Sequence, residues 1–180
     1  MQMSRGQRKV SHVTMMPRHP YEKYMRTIAL LLTASIILGS GSTQADTLLQ
    51  DLQGNDIALS SLKGKWVFIN YWANWCQPCL DEIPVLNQFY VENKSKNVAM
   101  FAVNYDALSP VRQERFIKKF NIQYPSLNHN TARALHLGDI SVVPITFVFN
   151  PNGEFSTTLY GGQTIANLEE IITTPPHPLS

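Results

Sequence analysis

Cysteine is nearly absent from this sequence of 180 residues, which contains only Cys76 and Cys79. Two cysteines cannot form the disulfide framework that stabilises many small secreted domains. A zinc site would need further ligands, and His129 and His136 stand about fifty residues away without a recognised ligand spacing, so half a zinc site is a weak alternative. Covalent haem attachment requires histidine directly after the second cysteine, and Leu80 occupies that position.

A concentrated basic surface is also missing from the part of the chain that is expected to fold. Residues 1–45 contain six Lys or Arg and one Asp or Glu, which gives a net charge of +5. Residues 46–180 contain nine Lys or Arg and twelve Asp or Glu, which gives a net charge of −3. The positive charge of the whole chain therefore comes from its first quarter. Without a basic stripe on the folded part, no nucleic-acid partner is expected.

Long hydrophobic runs are limited to residues 28–38, a stretch that is short for a membrane-spanning helix. Arg26 precedes this stretch and small residues follow it up to Ala45, which is the pattern of a secretory signal peptide over residues 25–45. An uncleaved membrane anchor remains the alternative. Met25 is a second plausible start, so the basic segment 1–24 is either untranslated or an extension of the positively charged region.

The two cysteines lie between an apolar run, residues 66–72, and a segment with helical periodicity. A thiolate at the start of a helix is favoured by unpaired N–H groups and by the helix dipole, so the pKa of Cys76 should be lowered and Cys76 should be the attacking sulfur. Cys79, one turn further, should be the resolving thiol. A purely structural disulfide is less favoured, because so short a loop constrains the unfolded chain little.

The remaining periodicity predicts one α/β domain over residues 46–174 and a Pro-rich tail over 175–180. Ser109 is a suitable N-cap, and Pro84 is expected to kink the helix that contains it. The predicted elements are a hairpin at 48–59, strands at 66–72, 97–104, 142–149 and 154–160, and helices at 76–93, 109–120, 131–137 and 164–173.

Three sequence elements together resemble a known family. They are the segment 70–79 (NYWANWCQPC), Glu82 with Pro84, and the segment 143–146 (VPIT). In these elements the chain resembles thioredoxin-fold proteins and, among them, the exported TlpA/ResA-like thiol-disulfide oxidoreductases. The resemblance covers nearly all of residues 46–174. It implies a thioredoxin fold, in which a mixed central sheet is flanked by helices, with an added N-terminal β-hairpin and a central helical insert.

The resemblance also implies a substrate-docking loop. It predicts a cis peptide bond before Pro144, so that the backbone of Val143 is presented beside the disulfide, where an extended substrate peptide can form hydrogen bonds. Trp75 is expected to offer a partner protein a large apolar surface next to Cys76. Trp72 is expected to be part of the packed core.

Glu82 is the predicted general base. It stands three residues after Cys79, on the helical face that looks back toward the resolving sulfur, and burial would raise its pKa. Many thioredoxins have an aspartate for this task on the preceding strand, where this chain has Asn70, which does not titrate. The alternative is that Glu82 is a surface carboxylate with no role in the reaction.

The predicted function is that of a periplasmic thiol-disulfide oxidoreductase that reduces disulfides of exported proteins, with cytochrome c maturation as a setting that the resemblance suggests. A membrane thiol carrier would supply its electrons, and no metal or cofactor is expected. A disulfide oxidase or isomerase is the alternative, although no histidine stands between the cysteines. A copper-delivery module is less favoured, because Met100 is the only methionine after residue 45.

Overall fold

The computed structural model describes residues 46–173. The predicted basic segment 1–24, the leader 25–45 and the tail 175–180 lie outside these residues. Within 46–173, no helix is long and apolar enough to cross a membrane. The strands are β1 Leu48–Gln50, β2 Asp56–Ala58, β3 Trp66–Trp72, β4 Val98–Asn104, β5 Ser126–Leu127, β6 Ile145–Phe149 and β7 Phe155–Tyr160; the helices are α1 Gln77–Asn93, α2 Pro110–Lys119, α3 Thr131–Ala134 and α4 Ile165–Thr173, with a 3-10 turn at Leu59–Leu62.

A mixed five-stranded sheet forms the centre of the domain, in the order β5-β4-β3-β6-β7. Strand β3 is parallel to β4 and antiparallel to β6, and β7 returns antiparallel beside β6. Strands β1 and β2 form the separate hairpin that the sequence predicts. The hairpin is joined to the edge of the main sheet through a bridge between Asp51 and Leu127. The predicted thioredoxin fold with an added N-terminal hairpin is confirmed.

Strand β3 is enclosed on both faces, since all seven of its residues are buried. Successive side chains of a strand point to opposite faces, so one strand contributes to two cores. Phe68 and Trp72 enter the core beneath α1, whereas Ile69 and Tyr71 enter the core on the other face. Asn70 shares the face of Phe68 and Trp72. The alternation of side chains along β3 therefore places the polar amide of Asn70 under α1, the helix that follows the first cysteine.

Helix α1 begins where the sequence predicts, with Cys76 as its N-cap. Its buried residues recur every three or four positions and form one face, which packs on β3: Cys79, Glu82, Ile83, Leu86, Asn87, Phe89 and Asn93. The rings of Phe89 and Phe68 meet edge to face, with centroids 5.2 Å apart. The helix continues through Pro84, and burial of its apolar face turns Cys79 toward β3.

Two predicted elements differ from the observed ones by more than one residue at an end, and one observed strand has no predicted counterpart. Strand β6 begins at Ile145 rather than at residue 142, because Pro144 has no N–H to donate to a strand ladder. The short strand β5 was not predicted, since two residues are too few for a periodicity. Helix α3 ends at Ala134 rather than at residue 137, and His136 has a positive φ of 54°.

Candidate active site

Cys76 and Cys79 are joined by a disulfide at the carboxyl end of β3 and the start of α1. The backbone N–H of Cys79 points at the Sγ of Cys76, with a separation of 3.3 Å. Cys76 is 5% exposed and Cys79 is 1% exposed. After reduction, the same N–H and the positive end of the helix dipole would stabilise a thiolate on Cys76. The more exposed sulfur is therefore also the one that the helix start favours as an anion.

Glu82 is buried, with an exposed fraction of 3%, on the same face of α1 as Cys79. Its two carboxylate oxygens accept hydrogen bonds from different elements: Oε1 from Asn70 Nδ2 at 2.8 Å and Oε2 from the backbone N–H of Gln163 at 3.1 Å. Burial raises the pKa of Glu82 to about 7, although both hydrogen bonds act in the opposite direction. The prediction that Glu82 is buried, and is not a surface carboxylate, is confirmed.

Asn70 connects Glu82 to two further side chains. Its Nδ2 also donates to Thr146 Oγ1 at 3.0 Å, and its Oδ1 accepts from the hydroxyl of Tyr124 at 3.4 Å. All four side chains are buried. The pKa of Tyr124 is raised by burial and by the nearby carboxyl of Glu82, so the hydroxyl stays protonated. It is therefore the donor in the hydrogen bond to Asn70 Oδ1. These contacts fix which end of the Asn70 amide faces Glu82.

The loop at Val143 and Pro144 lies directly beside the disulfide. Its peptide bond is cis, as the resemblance predicts, and the carbonyl oxygen of Val143 is 3.6 Å from Cys76 Sγ. The carbonyl oxygen of Pro144 accepts a hydrogen bond from the N–H of Gly161 at 3.0 Å. The loop thus lies between Cys76 Sγ and the residues that follow β7.

Trp75 is exposed to 61%, whereas Trp72 is buried in the core as expected. The indole N–H of Trp75 donates to both carboxylate oxygens of Asp106, at 3.0 and 2.9 Å. The ring of Tyr105 meets the indole edge to face, with centroids 6.2 Å apart. Trp75 is therefore an exposed aromatic surface beside Cys76 whose orientation is already restricted.

The six site residues that the sequence predicts all lie near one end of the sheet, at the carboxyl end of β3 and the start of β6. The structure adds other residues that the sequence did not single out. Asp106 and Tyr105 follow directly after β4, a position that itself suggests a site because the carboxyl ends of parallel strands collect functional residues. Tyr124 and Gln163 have no local pattern that distinguishes them, and Thr146 was noted only as part of the segment 143–146. Their contribution depends on contacts between segments that are far apart in the chain.

Comparison with known proteins places this geometry in a family. Residues 41–156 match the model of the AhpC/TSA family. The chain is 32% identical over 137 residues to the thiol-disulfide oxidoreductase ResA of Geobacillus kaustophilus (strain HTA426), with 76% of this chain and 78% of that protein covered. It is 35% identical over 127 residues to ResA of Bacillus subtilis (strain 168), with 71% and 70% covered.

Solved structures agree with these sequence matches. The crystal structure of StoA from Bacillus subtilis superposes with a TM-score of 0.58 at 27% identity, covering 72% of this chain and 97% of that one. A thiol:disulfide interchange protein of the thioredoxin family from Chlorobium tepidum TLS superposes with a TM-score of 0.59 at 26% identity, covering 71% and 90%. Among the described residues, the one disulfide is Cys76–Cys79 at the start of α1. The chain belongs to the AhpC/TSA family of thioredoxin-fold proteins and is a thiol-disulfide oxidoreductase similar to ResA.

Proposed function

We propose that the protein acts in the periplasm as a reductant of disulfides in other exported proteins. The observation that carries this proposal is the Cys76–Cys79 disulfide, which lies at a helix start on the same face as the buried carboxyl of Glu82. The leader predicted at residues 25–45 supports export, after which the protein would work in an oxidising compartment. In such a compartment, a single cysteine pair is better suited to electron exchange than to stabilising the fold.

The proposed reaction begins with both cysteines reduced. The thiolate of Cys76 attacks one sulfur of the substrate disulfide, which forms a mixed disulfide and expels the other substrate sulfur as a thiolate. Cys79 then transfers its proton to Glu82 and attacks Cys76 Sγ. The bond between Cys76 and the substrate breaks, and the second substrate sulfur leaves as a thiolate. Two electrons have passed to the substrate, and the enzyme is left as the disulfide.

Substrate docking is assigned to the residues on either side of Cys76. The exposed indole of Trp75 offers apolar area, and the backbone of Val143 and Pro144 offers polar groups to an extended peptide. Val143 O lies 3.6 Å from Cys76 Sγ, which supports this assignment. A substrate peptide that forms a hydrogen bond to this oxygen would place the substrate disulfide next to Cys76.

Each turnover consumes two electrons, so a second protein must reduce the enzyme again. We assign this role to a membrane thiol carrier, and we propose an apocytochrome c in cytochrome c maturation as a substrate, both by resemblance to the TlpA/ResA-like family. The protein would meet the membrane itself only if its leader is not cleaved. The reaction needs no cofactor or metal.

The reduction potential of the Cys76/Cys79 pair tests the direction of electron flow. The purified protein is equilibrated with thiol redox buffers, and the fraction of disulfide is read from thiol labelling. A value near roughly −270 mV, as in thioredoxin, is expected for a reductant. A value near roughly −120 mV, as in DsbA, would instead identify a disulfide donor and overturn the proposal.

A further inference from the structure

The fold gathers the six lysines of residues 46–180 at one edge of the main sheet. Two precede β3, two precede β4, and two end α2: Lys63, Lys65, Lys94, Lys96, Lys118 and Lys119. Helix α1 joins the parallel strands β3 and β4, and α2 joins β4 to the parallel strand β5. Both helices therefore return the chain to the edge at which these strands begin, which is the edge opposite the cysteine pair. We call this surface the lysine edge.

Hydrogen bonds connect the segments of the lysine edge. The N–H of Trp66, at the start of β3, donates to Asn97 O, just before β4, at 2.7 Å. Asn87 Nδ2 of α1 donates to Asn121 O, just after α2, also at 2.7 Å. The six lysines therefore belong to one connected surface, although they are scattered along the sequence.

The lysine edge is positively charged in a part of the chain that is negative as a whole. The turn after β6 also reaches it, because the N–H of Gly64 donates to Pro151 O at 2.7 Å. Its segments contain six lysines and one acidic residue, Glu154, and so have a net charge of +5: they are 63–65, 94–97, 118–121 and 150–154. Residues 46–180 together have a net charge of −3, so the rest of the surface is strongly negative.

The lysines of this edge keep their charge exposed to solvent. Five of the six are exposed, and Lys65 is half-buried. Three of them contact uncharged groups: Lys96 Nζ lies 3.3 Å from Asn93 Oδ1, Lys94 Nζ lies 5.5 Å from the ring centroid of Tyr90, and Lys119 Nζ lies 5.1 Å from that of Phe120. A positive charge at a helix end also complements the helix dipole, but Lys63 and Lys65 precede a strand, where no such dipole exists. The helices alone therefore do not explain the charge of this edge.

The chain enters the described part at the same edge. Asp46 accepts hydrogen bonds from the hydroxyl and the N–H of Ser60, and these bonds and the nearby charge of Lys63 lower the pKa of Asp46. Seven residues separate Asp46 from the apolar stretch 28–38, and at full extension they span roughly 25 Å. A protein that keeps its leader as an anchor therefore has the lysine edge within reach of the membrane surface.

We propose that, in the protein that keeps its leader, the lysine edge binds the anionic headgroups of a phospholipid surface. Each exposed lysine close to such a surface is attracted by it, and the attraction adds over the cluster. The segments next to the disulfide, 73–84 and 105–109, contain three acidic residues and no lysine or arginine. The bound protein therefore turns the disulfide away from the lipid and toward exported substrates. The contact is electrostatic and reversible, so the protein can also turn to meet a membrane donor of electrons.

The position of the lysine edge favours a lipid surface over other anionic partners. A nucleic acid or an acidic protein offers the same charge, but neither accounts for a chain that enters the domain at this edge after an apolar stretch. The inference concerns the membrane contact alone, and it adds to the proposed function without depending on the reaction of the cysteines.

NMR of the full chain on lipid nanodiscs tests the contact. One set of discs contains phosphatidylcholine with phosphatidylglycerol, a second contains phosphatidylcholine alone, and both carry a lipid with a spin-labelled headgroup. On the anionic discs, the label should attenuate the amide signals of the lysine edge more than those of Trp75 and Cys76. Raising the ionic strength from roughly 0.05 to 0.5 M should remove the difference, because salt screens exposed charges. Equal attenuation at both edges, an identical pattern on the neutral discs, or a full chain that does not stay on the anionic discs would overturn the inference.

Two pairs of substitutions with the same loss of charge show where on the surface the charge acts. Lys94→Gln with Lys96→Gln changes the lysine edge, whereas Arg112→Gln with Arg115→Gln removes two exposed charges from the first half of α2. The ratio of lipid-bound to released domain, read from the attenuation, should fall by about tenfold or more in the lysine pair and by less than about threefold in the arginine pair. Equal losses in the two pairs would show that net charge alone is responsible and would overturn the inference.

Lys118→Gln with Lys119→Gln is a second lysine pair, which replaces the first if that one does not fold. Other occupants are tested by adding a short DNA duplex or polyglutamate to the protein on neutral discs. Binding of either at the lysine edge, without any docking on the anionic discs, would assign the edge to that class of partner and overturn the lipid contact.

Failure of this inference is distinguishable from failure of the proposed function. A reduction potential like that of DsbA, in a protein whose lysine edge docks on anionic discs, would overturn only the direction of electron flow. A potential like that of thioredoxin, in a protein whose lysine edge does not dock, would overturn only the lipid contact.

Discussion

The indole of Trp75 is held by the carboxylate of Asp106, which accepts the indole N–H with both oxygens at 3.0 and 2.9 Å. Trp75 directly precedes Cys76, while Asp106 follows the neighbouring parallel strand. The N–H of Asp106 in turn bonds to Oδ1 of Asn104, which is buried at the end of β4. An exposed aromatic side chain that is already restricted loses less conformational entropy when a partner binds it.

Replacing Asp106 with Ala should free the Trp75 indole without unfolding the domain. We expect a loss in unfolding free energy of no more than about 1 kcal/mol, because the contact is at the surface. For a peptide disulfide, KM should rise severalfold while kcat changes little, since the indole acts in docking. Steady-state kinetics and the Nε1–H resonance of Trp75 measure the two effects.

Asp56→Ala is the matched control for that variant, since Asp56 is an exposed aspartate on β2. It should leave both KM and the Trp75 resonance unchanged. An unaltered KM in Asp106→Ala, together with a shifted indole resonance, would show that the orientation of Trp75 has no part in docking.

The ionisation of Glu82 should make the folded protein less stable as the pH rises. Because its folded pKa of about 7 exceeds the usual 4.5, the folded state binds more protons than the unfolded state between these values. The contribution of Glu82 to the unfolding free energy is fully present below pH 4.5 and is lost as the pH rises through 7. The total loss is about 3 kcal/mol. Chemical denaturation of the oxidised protein from pH 5 to 8 measures the slope.

Glu82→Gln should remove this part of the pH dependence, since an amide does not titrate. The carboxyls of Asp46 and Asp51 have lowered pKa values because of hydrogen bonds from Ser60 and Asn55, so their opposite effect develops below pH 4, outside the window. Equal slopes for the wild type and Glu82→Gln between pH 5 and 8 would show that Glu82 does not have a raised pKa.

The same variant should be slow in the second chemical step. With no carboxylate to take the proton of Cys79, resolution of a mixed disulfide should slow by about 100-fold or more, whereas formation of the mixed disulfide continues. In the wild type, the resolution rate should rise with pH around 7, following the ionisation of Glu82. Rapid-quench separation of the mixed disulfide resolves the two steps, and an identical pH profile in Glu82→Gln would refute the assignment.

The contact between Phe89 and Phe68 should contribute strongly to stability. Both side chains are fully buried and meet edge to face, so Phe89→Ala should cost about 3–5 kcal/mol of unfolding free energy. Val91→Ala, on the same helix but 47% exposed, should change it by no more than about 0.5 kcal/mol. Denaturant titration compares the two, and similar losses would contradict the assigned packing of α1.

Local patterns in the sequence were sufficient to predict the centre of the site. An apolar run followed by two cysteines at helical spacing fixes a buried strand, a helix start and two sulfurs on one side, because each feature depends only on neighbours in the chain. Glu82 was found for the same reason, since it lies one turn after Cys79. The cis bond before Pro144 required the family resemblance, because proline alone leaves the trans form favoured.

Contacts that cross the chain could not be predicted in this way. Gln163 lies 81 residues after Glu82 and bonds to it through its backbone, which every residue except proline could do. Tyr124 reaches Asn70 from an irregular segment, where no periodicity indicates which way a side chain points. These partners follow from how α1, β6 and the end of β7 pack, and that packing depends on the whole domain.

Strand β7 has a consequence for handling the protein in solution. It is the last strand of its sheet, and none of its six residues, Phe155–Tyr160, carries a charge. Edge strands of this type can add a strand from another molecule, and many proteins prevent this with a charged side chain on the edge. We therefore expect edge-to-edge association at β7 in concentrated samples. A single lysine on this strand, such as Thr157→Lys, should reduce this association without changing the cysteine pair.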